Sequence, residues 1–338
     1  MSGRLLGVGR PRAALIRLNA RPAAMLGRRL LSSAAMPEEL VQVERRGAVA
    51  IVRLNRPEKL NALSLPMFRA IRAAAKSINS PKLSGVRAVV LCGAGRSFCA
   101  GLDVKSLMRD PLAMRRYPTM AELLETNAET GATLAQEVGY LWRLLPVPVI
   151  AAVHGVCLGG GFQIVLGADF RFAAADSKFS IMESKWGLVP DMGGTLALRE
   201  LIPLDVAKEL AMTARVLSAG EAHSLGLVTR VCASNPFDEA LLFANELAAR
   251  SPDCLAATKA LLNANYGRGK AAEEKSALAL EARLQRKLIG GWNQLAASAK
   301  GLGVPDILQP GFRARDNQWV DELRAEGHEE RDATLAKP

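Results

Sequence analysis

The chain is short of the residues that build metal centres, disulfide frameworks and membrane spans. It has three histidines, and no cluster of His, Cys and Asp shows metal-ligand spacing, so no metal is expected. His154 and His223 read as structural. The five cysteines are Cys92, Cys99, Cys157, Cys232 and Cys254. They are odd in number and form no CxxC pair, which argues for reduced, small core residues rather than disulfides. No histidine in a comparable motif accompanies Cys99 or Cys157, so a nucleophilic thiol is disfavoured. No apolar run approaches the roughly 18 residues of a membrane-spanning helix, and no membrane partner is expected. The most local shortage is of acid: residues 1–36 hold no Asp, no Glu and no Lys, but seven Arg.

That segment has the composition of a mitochondrial presequence. Arg at 4, 10, 12, 17, 21, 28 and 29 can line one side of an amphipathic helix, and the uninterrupted apolar core of a secretory signal is missing. Arg28-Arg29-Leu30-Leu31-Ser32-Ser33 is a candidate processing region. The competing reading is a disordered basic extension with no address. Leu335-Ala336-Lys337-Pro338 is not the peroxisomal tripeptide, so the mitochondrial matrix is expected ahead of peroxisome or cytoplasm. The seven arginines carry most of the net charge of +11 and leave +4 on the rest, which is no argument for nucleic acid. With 338 residues, 49% of them hydrophobic, the chain can bury a sizeable core.

Apolar patterning divides the body into strands that come early, each followed by a helix, and helices that come late. Val41–Glu44 and Ala48–Leu54, joined at Arg45-Arg46-Gly47, read as a hairpin. Strands are expected over Val86–Leu91, Val147–Ala152, Phe170–Ala174, Lys178–Ile181 and Val228–Val231. Leu65–Ile78 reads as a helix carrying Arg69, Arg72 and Lys76 on a solvated face. A short helix is expected from Asp103 to Met108, a mobile loop over Asp110–Met120, and one long helix over Ala121–Leu145, ended by Pro146. Further helices are expected over Met192–Leu201, from the capping pattern at Ser218 through Leu225, and over Pro236–Arg250, Pro252–Asn265, Ala271–Leu288 and Gly291–Lys300. The tail from Gly301 is polar and reads as loosely ordered.

The stretch the rest serves is Val153 to Gln163, with Gly159, Gly160 and Gly161 between an apolar strand and an apolar helical run, Ile164–Asp169. Strand, glycines, helix is a geometry that aims backbone N–H groups at a ligand above the helix start, where an oxyanion or phosphate is favoured. The alternative is that the glycines only allow close packing.

His154-Gly155, the glycine triplet and Ala168-Asp169-Phe170-Arg171 resemble the crotonase superfamily, the enoyl-CoA hydratase and isomerase group. Asn55-Arg56-Pro57-Glu58-Lys59-Leu60-Asn61-Ala62-Leu63 is similar to that family's opening motif, and Ser97-Phe98-Cys99-Ala100-Gly101-Leu102-Asp103-Val104 to its first oxyanion loop. The resemblance runs from about residue 38 to 300. It implies an α/β fold, a superhelix of ββα units over residues 37–300 with the spiral core ending near 235, and a helical C-terminal part through which the family forms trimers or hexamers. It also implies a coenzyme A thioester as substrate and no separate cofactor. By position, the backbone N–H groups of Leu102 and Gly160 would hold the oxyanion. Ala100, Gly101, Leu102, Asp103 and Gly160 would line the coenzyme A and substrate site, with Lys59 near the nucleotide; a merely solvated lysine is the alternative there. One superfamily member binds RNA through a basic helix in the region of Arg69, Arg72 and Lys76, so a non-catalytic CoA- or RNA-binding homologue is a reading from another class.

The family's hydratases use two glutamates, and the first of these positions is Gln163 here. An amide cannot transfer protons as a carboxylate does, although it can hold water or substrate. The second position is kept as Glu183. In the same family, Δ3,Δ2-enoyl-CoA isomerases manage with a glutamate at the place of Glu183, and Δ3,5,Δ2,4-dienoyl-CoA isomerases add an aspartate eight residues on, where Asp191 stands. The dienoyl isomerases also carry Asp at the place of Gln163, a departure here. Asp191 also stands where an N-cap would for the helix that follows. The resemblance therefore implies an isomerase with Glu183, Asp191 and Gln163 in its site, with a weak or specialised hydratase as the alternative and hydrolysis or decarboxylation of a CoA thioester as a third chemistry.

Overall fold

A computed structural model describes residues 39–104, 118–266 and 271–311. The expected presequence, the end of the tail, most of the short helix from Asp103 and residues 110–117 of the expected loop lie outside these.

Six strands among the described residues form one sheet, in the order β1-β2-β3-β4-β6-β9: β1 Val41–Arg46, β2 Val49–Leu54, β3 Ala88–Gly93, β4 Val149–Val153, β6 Phe170–Ala174 and β9 Arg230–Cys232. β1 and β2 are the expected hairpin, but Arg46 pairs with Val49, so the connection is Gly47-Ala48 rather than Arg45-Arg46-Gly47. Every later pairing in this sheet is parallel. Strands β2, β3 and β4 are buried on both faces, which is why they read as near-continuous apolar runs. Ala50, Val52, Leu54, Val89, Leu91, Ala151 and Val153 point into the larger core, with helices α1 (Leu65–Ser77), α3 (Leu134–Leu144) and α4 (Gly160–Leu166). Val49, Ile51, Ala88, Val90, Ile150 and Ala152 point the other way, against α8 (Pro236–Ala248). Ala240, Ala244 and Ala248 repeat every four residues along α8 and let that helix lie close to the sheet. Each Val, Leu or Ile buried in these cores contributes roughly 1.5–3 kcal/mol.

A second, small sheet joins β5 (Val156–Leu158), β7 (Lys178–Ser180) and β8 (Leu217–Ser218). β5 runs straight into Gly159, and β7 ends just before Glu183. Leu158 pairs with Ser180, and the Gly159 N–H donates to the Ser180 carbonyl at 2.8 Å. The register of two three-residue strands thus sets the glycine triplet beside Glu183.

The remaining helices are α2 (Pro118–Leu123), α5 (Gly194–Leu201), α6 (Leu204–Thr213), α7 (Ala219–Ser224), α9 (Pro252–Tyr266), α10 (Ala271–Leu288) and α11 (Trp292–Gly301). Several expectations are corrected. The single helix over Ala121–Leu145 is two helices, because Thr133 and Gln136 form a reciprocal capping box that starts α3 afresh. Asn127 Oδ1 also accepts from the Glu129 N–H at 2.9 Å, a local turn that competes with helix. Pro118 to Met120, expected as loop, belong to α2. The helix expected over Ile164–Asp169 begins at Gly160, so two of the three glycines lie inside its first turn. The helix after Asp191 begins at Gly194, with Gly193 as its N-cap, so Asp191 does not cap it. Ser218 does start α7, its side chain accepting from the Glu221 N–H.

Candidate active site

The opening motif is tied to the second by Asn61. Its side chain is fully buried, and Nδ2 donates to the carbonyls of Ala94 (2.9 Å), Ser97 (2.9 Å) and Phe98 (3.0 Å) while Oδ1 accepts from the Arg56 N–H. Leu63 then bridges Leu102: the Leu63 N–H donates to the Gly101 carbonyl at 2.8 Å and the Asp103 N–H to the Leu63 carbonyl at 3.0 Å. In a parallel bridge of this kind the backbone groups of the middle residue point away from its partner. The Leu102 N–H accordingly has no partner among the described residues, and Leu102 lines a cavity.

Gly160, the first residue of α4, supplies a second free donor, since no carbonyl inside the helix lies within reach of its N–H. Gly159 holds φ +50° and ψ −123°, a backbone state closed to ordinary residues, and its carbonyl takes the N–H groups of Phe162 and Gln163. Gly101, at φ +85°, brings the two loops together: a Cβ there would stand 2.7 Å from the Leu158 carbonyl oxygen and 3.7 Å from the Gly160 nitrogen. The two donors expected at Leu102 and Gly160 therefore border one cavity, as do Ala100 and Gly101.

The cavity encloses about 790 Å³ out to its mouth and is walled chiefly by apolar side chains, among them Phe68, Leu124, Met182, Trp186, Leu188 and Ile289. Two carboxyl groups reach it. Glu183 opens a 3-10 turn, Glu183–Trp186, and is 8% exposed. Its Oε1 accepts from Gln163 Nε2 at 2.6 Å, and its Oε2 is buried with no partner among the described residues. Burial raises its pKa to about 7, with the Gln163 hydrogen bond acting in the opposite direction. Asp191, 9% exposed, is pushed well above the usual carboxylate range by burial, with the charges of Glu281 and Glu183 adding to the effect.

Gln163 is 1% exposed and lies behind Glu183 rather than on the cavity wall. Its Oε1 accepts from the N–H groups of Met192 (2.9 Å) and Gly194 (3.2 Å). Two backbone donors on one atom identify that atom as the oxygen, which turns the NH₂ toward Glu183. Asp103 is committed to the scaffold through an ion pair with Arg56 at 2.8 Å and does not line the cavity. Lys59 is exposed on the turn Pro57–Lys59 and is not part of the wall either. The rear of the motif Ala168-Asp169-Phe170-Arg171 is structural: Asp169 accepts from the Val149 N–H and from Lys259, and Arg171 donates to the carbonyls of Leu227 and Ala168.

Sequence reasoning assigned no part to Glu281, Gln285 or Ile289: Gln285, on α10, and Ile289, just past its end, line the cavity, and Glu281, on α10, bonds the segment after Asp191. Their spacing of four marks one helix face, but nothing local indicates what that face meets. The thiols of Cys99 and Cys157 are buried, and burial raises that of Cys99 to about 12, which makes both poor nucleophiles. His154 and His223 each hydrogen-bond a backbone carbonyl, at 2.9 Å in both cases, in keeping with structural roles. The basic face of α1 is threaded with acids: Arg69 pairs with Glu122, while Arg72 and Lys76 approach the buried Glu137 at 3.5 and 3.7 Å. No cluster able to hold a metal occurs among the described residues.

Comparison with known proteins agrees with this geometry. The sequence profile of the enoyl-CoA hydratase/isomerase family matches residues 44–291. The chain is 34% identical to a short-chain-enoyl-CoA hydratase of Clostridium acetobutylicum, over 71% of this chain and 86% of that one. It is 35% identical to the mitochondrial Delta(3,5)-Delta(2,4)-dienoyl-CoA isomerase of Homo sapiens, over 66% and 67% of the two chains. Among solved structures, an enoyl-CoA hydratase/isomerase from Mycobacterium paratuberculosis superposes with a TM-score of 0.66 at 27% identity, covering 79% of this chain and 99% of that one. The crotonase-like α/β fold with a helical C-terminal part is thereby established.

Proposed function

This chain belongs to the enoyl-CoA hydratase/isomerase family, and we propose that within it the chain is an acyl-CoA isomerase that moves double bonds of enoyl- or dienoyl-CoA through an enolate, as in fatty acid β-oxidation. One observation carries the reading. A single carboxylate, Glu183, has a free oxygen in an apolar cavity beside two free backbone donors and a pKa near neutrality, while the other hydratase position is an amide set behind it.

The thioester carbonyl oxygen would lie between the N–H groups of Leu102 and Gly160, which stabilise the charge that develops there. Ionised Glu183 takes a proton from the carbon next to that carbonyl, and the electron pair passes into the enolate. For a 3-enoyl-CoA, the protonated Glu183 returns the proton two carbons further along, which leaves a 2-enoyl-CoA. For a 3,5-dienoyl-CoA, neutral Asp191 supplies the proton at the far end of the conjugated system, which leaves a 2,4-dienoyl-CoA. Glu183 is then protonated and Asp191 ionised, and exchange with solvent restores both. The raised pKa values suit these roles, since a base must be ionised and the distal acid neutral at the same pH. No cofactor enters any step.

A hydratase is the second reading, favoured by relatives of that name at the same level of identity. It would require Gln163 to hold the attacking water, and Gln163 does not line the cavity. The test is a side-by-side assay of crotonyl-CoA, a 3-enoyl-CoA and a 3,5-dienoyl-CoA. Turnover of the latter two with little hydration is expected; brisk hydration of crotonyl-CoA would overturn the isomerase reading. The proposal extends to a homotrimer or homohexamer in the matrix, addressed by residues 1–36, for which a fluorescent fusion of that segment is the direct check. Coenzyme A binding without turnover, or RNA binding by α1, would be revealed by unchanged behaviour of Glu183→Gln or by salt-sensitive RNA retention.

A further inference from the structure

The start of α5 is held in an unusual way. The first N–H groups of a helix have no partner inside it and are ordinarily met by a nearby cap. Here the N-cap is Gly193, which has no side chain to offer. Four consecutive N–H groups are instead shared alternately between two distant side chains. Gln163 Oε1 takes those of Met192 (2.9 Å) and Gly194 (3.2 Å). Glu281, on α10, takes those of Gly193 (2.9 Å) and Thr195 (3.3 Å).

Glu281 also accepts from Thr195 Oγ1 and from Gln136 Nε2 at 3.2 Å, so four donors converge on a carboxylate that is 5% exposed. Burial raises the Glu281 pKa, and the hydrogen bonds from Thr195, the Gly193 N–H and Gln136 act in the opposite direction. With its oxygens occupied at the positive end of a helix, this carboxyl is an anchor rather than a proton carrier. One turn further along α10, Gln285 Oε1 accepts from the Val189 N–H at 3.2 Å. The segment 189–195, with Asp191 in its middle, is therefore pinned to α10 at both ends. Gln163 serves the other carboxyl, since its Nε2 is the group that holds Glu183.

We propose that Glu281 is a positioning residue of the active site, fixing the Asp191 carboxyl against the far end of the acyl chain, while Gln163, through its Nε2, holds Glu183. The division of labour rests on the isomerase reading above; the placement of Asp191 by Glu281 does not. Glu281 keeps its oxygens on the backbone next to Asp191, and its negative charge stands close enough to disfavour ionisation of Asp191. Loss of that charge would slacken the Asp191 segment and leave the Gln163–Glu183 bond in place.

The test compares wild type with Glu281→Gln on a 3-enoyl-CoA, which calls on Glu183 alone, and a 3,5-dienoyl-CoA, which calls on both carboxyls. The expected result is a fall in kcat of about tenfold or more on the dienoyl substrate, with KM and the 3-enoyl rate within about twofold of wild type. Equal losses on both substrates would mark Glu281 as merely structural and overturn the proposal. A second measurement does not depend on turnover: a carbon-13 NMR titration of the aspartate carboxyls, with Asp191→Asn for assignment. Glu281→Gln is expected to lower the Asp191 midpoint, and an unmoved midpoint overturns the proposal. If wild type turns over no dienoyl-CoA, the isomerase reading of Asp191 fails and the titration alone decides the positioning role. Where Glu281→Gln does not fold, Thr195→Val, which removes one of the four donors and keeps the Glu281 charge, takes its place in the kinetic comparison, with the same loss expected on the dienoyl substrate and the same refuting result.

Discussion

Replacing Gln163 by Met tests the assignment of Glu183 as the base most directly, because Met fills similar volume and removes only the polar end. In the wild type, Gln163 Nε2 donates to Glu183 Oε1 at 2.6 Å, and Glu183 titrates at about 7. A hydrogen bond to a charged group contributes roughly 1.5–3 kcal/mol. At 1.36 kcal/mol per pKa unit, its loss should raise the Glu183 pKa by roughly one to two units. Activity that needs ionised Glu183 appears as pH rises through that pKa, so the acid limb of kcat/KM for 3-enoyl-CoA isomerisation should move up by the same amount. At neutral pH this costs roughly five- to fiftyfold in rate; at a pH above the new limb most of the rate should return. The N–H groups of Met192 and Gly194 also lose their acceptor, at a cost of roughly 1–3 kcal/mol each, so a lower melting temperature is expected and the profile must be taken well below it. An acid limb that stays in place in a folded variant would refute Glu183 as the base tuned by Gln163.

Glu183→Gln should abolish turnover and leave binding of a CoA thioester intact, as measured by calorimetry. The same variant should gain stability with pH: a folded-state pKa of about 7 against 4.5 unperturbed means that wild-type Glu183 weakens the fold as pH rises through that window, by up to about 3 kcal/mol. Thermal unfolding at pH 5 and pH 8 should show the variant's advantage to be small at the lower pH and near its full size at the higher. Gly160→Ala would place a Cβ 2.6 Å from Met192 Sδ and 2.9 Å from Leu63 Cδ1, flexible side-chain ends that can yield. It should fold yet lose about tenfold or more in kcat, with KM little changed, because the displaced N–H acts mainly on the developing oxyanion. Gln163→Glu would set two carboxylate oxygens about as close as the present 2.6 Å hydrogen bond, a repulsion of up to about 6 kcal/mol at an effective dielectric of 20. The pair should retain one proton at neutral pH, which a second, higher-pH step in the rate profile would report; any gain in crotonyl-CoA hydration would appear in the same variant.

Most of the sheet was legible because its inner strands are buried on both faces. The run Val149–Val153 is apolar at every position, and Phe170–Ala174 was bounded as observed. The late helices were legible from length, as with Ala271–Leu288. Of the small sheet only β7 was read, as Lys178–Ile181; β5 and β8, with three and two residues, carry too little pattern to recognise. Nor was α6 legible, where Pro203 and the mixed run Leu204–Thr213 left an unread gap. The split between α2 and α3 was written in Thr133-x-x-Gln136, but the surrounding apolar period outweighed it. In the site, Glu183, Asp191, Leu102 and Gly160 were found from motif and position, and all four border the cavity. The place of Gln163 behind Glu183 was not readable, because it depends on the start of α5, 29 and 31 residues away. Glu281 lies further still, 86 to 88 residues from the groups it holds.

Those separations say something about how the site comes into being. Gln163 belongs to the spiral part of the chain and Glu281 to the helical part, and they meet on alternate N–H groups of one helix start. Neither can satisfy that start alone: without Glu281 the half-buried N–H groups of Gly193 and Thr195 lose their acceptor, and without Gln163 the buried ones of Met192 and Gly194 do. A buried donor left unmet costs roughly 1–3 kcal/mol. Docking of α10 and satisfaction of the helix start after Asp191 are therefore energetically coupled. An amide at position 163 suits that arrangement. Its oxygen serves the helix start and its NH₂ serves Glu183, whereas a carboxylate could do the first only by confronting Glu183 with a second negative charge. On the isomerase reading proposed above, Glu183 with fixed donors around it would move a proton along a chain rather than add water across a double bond.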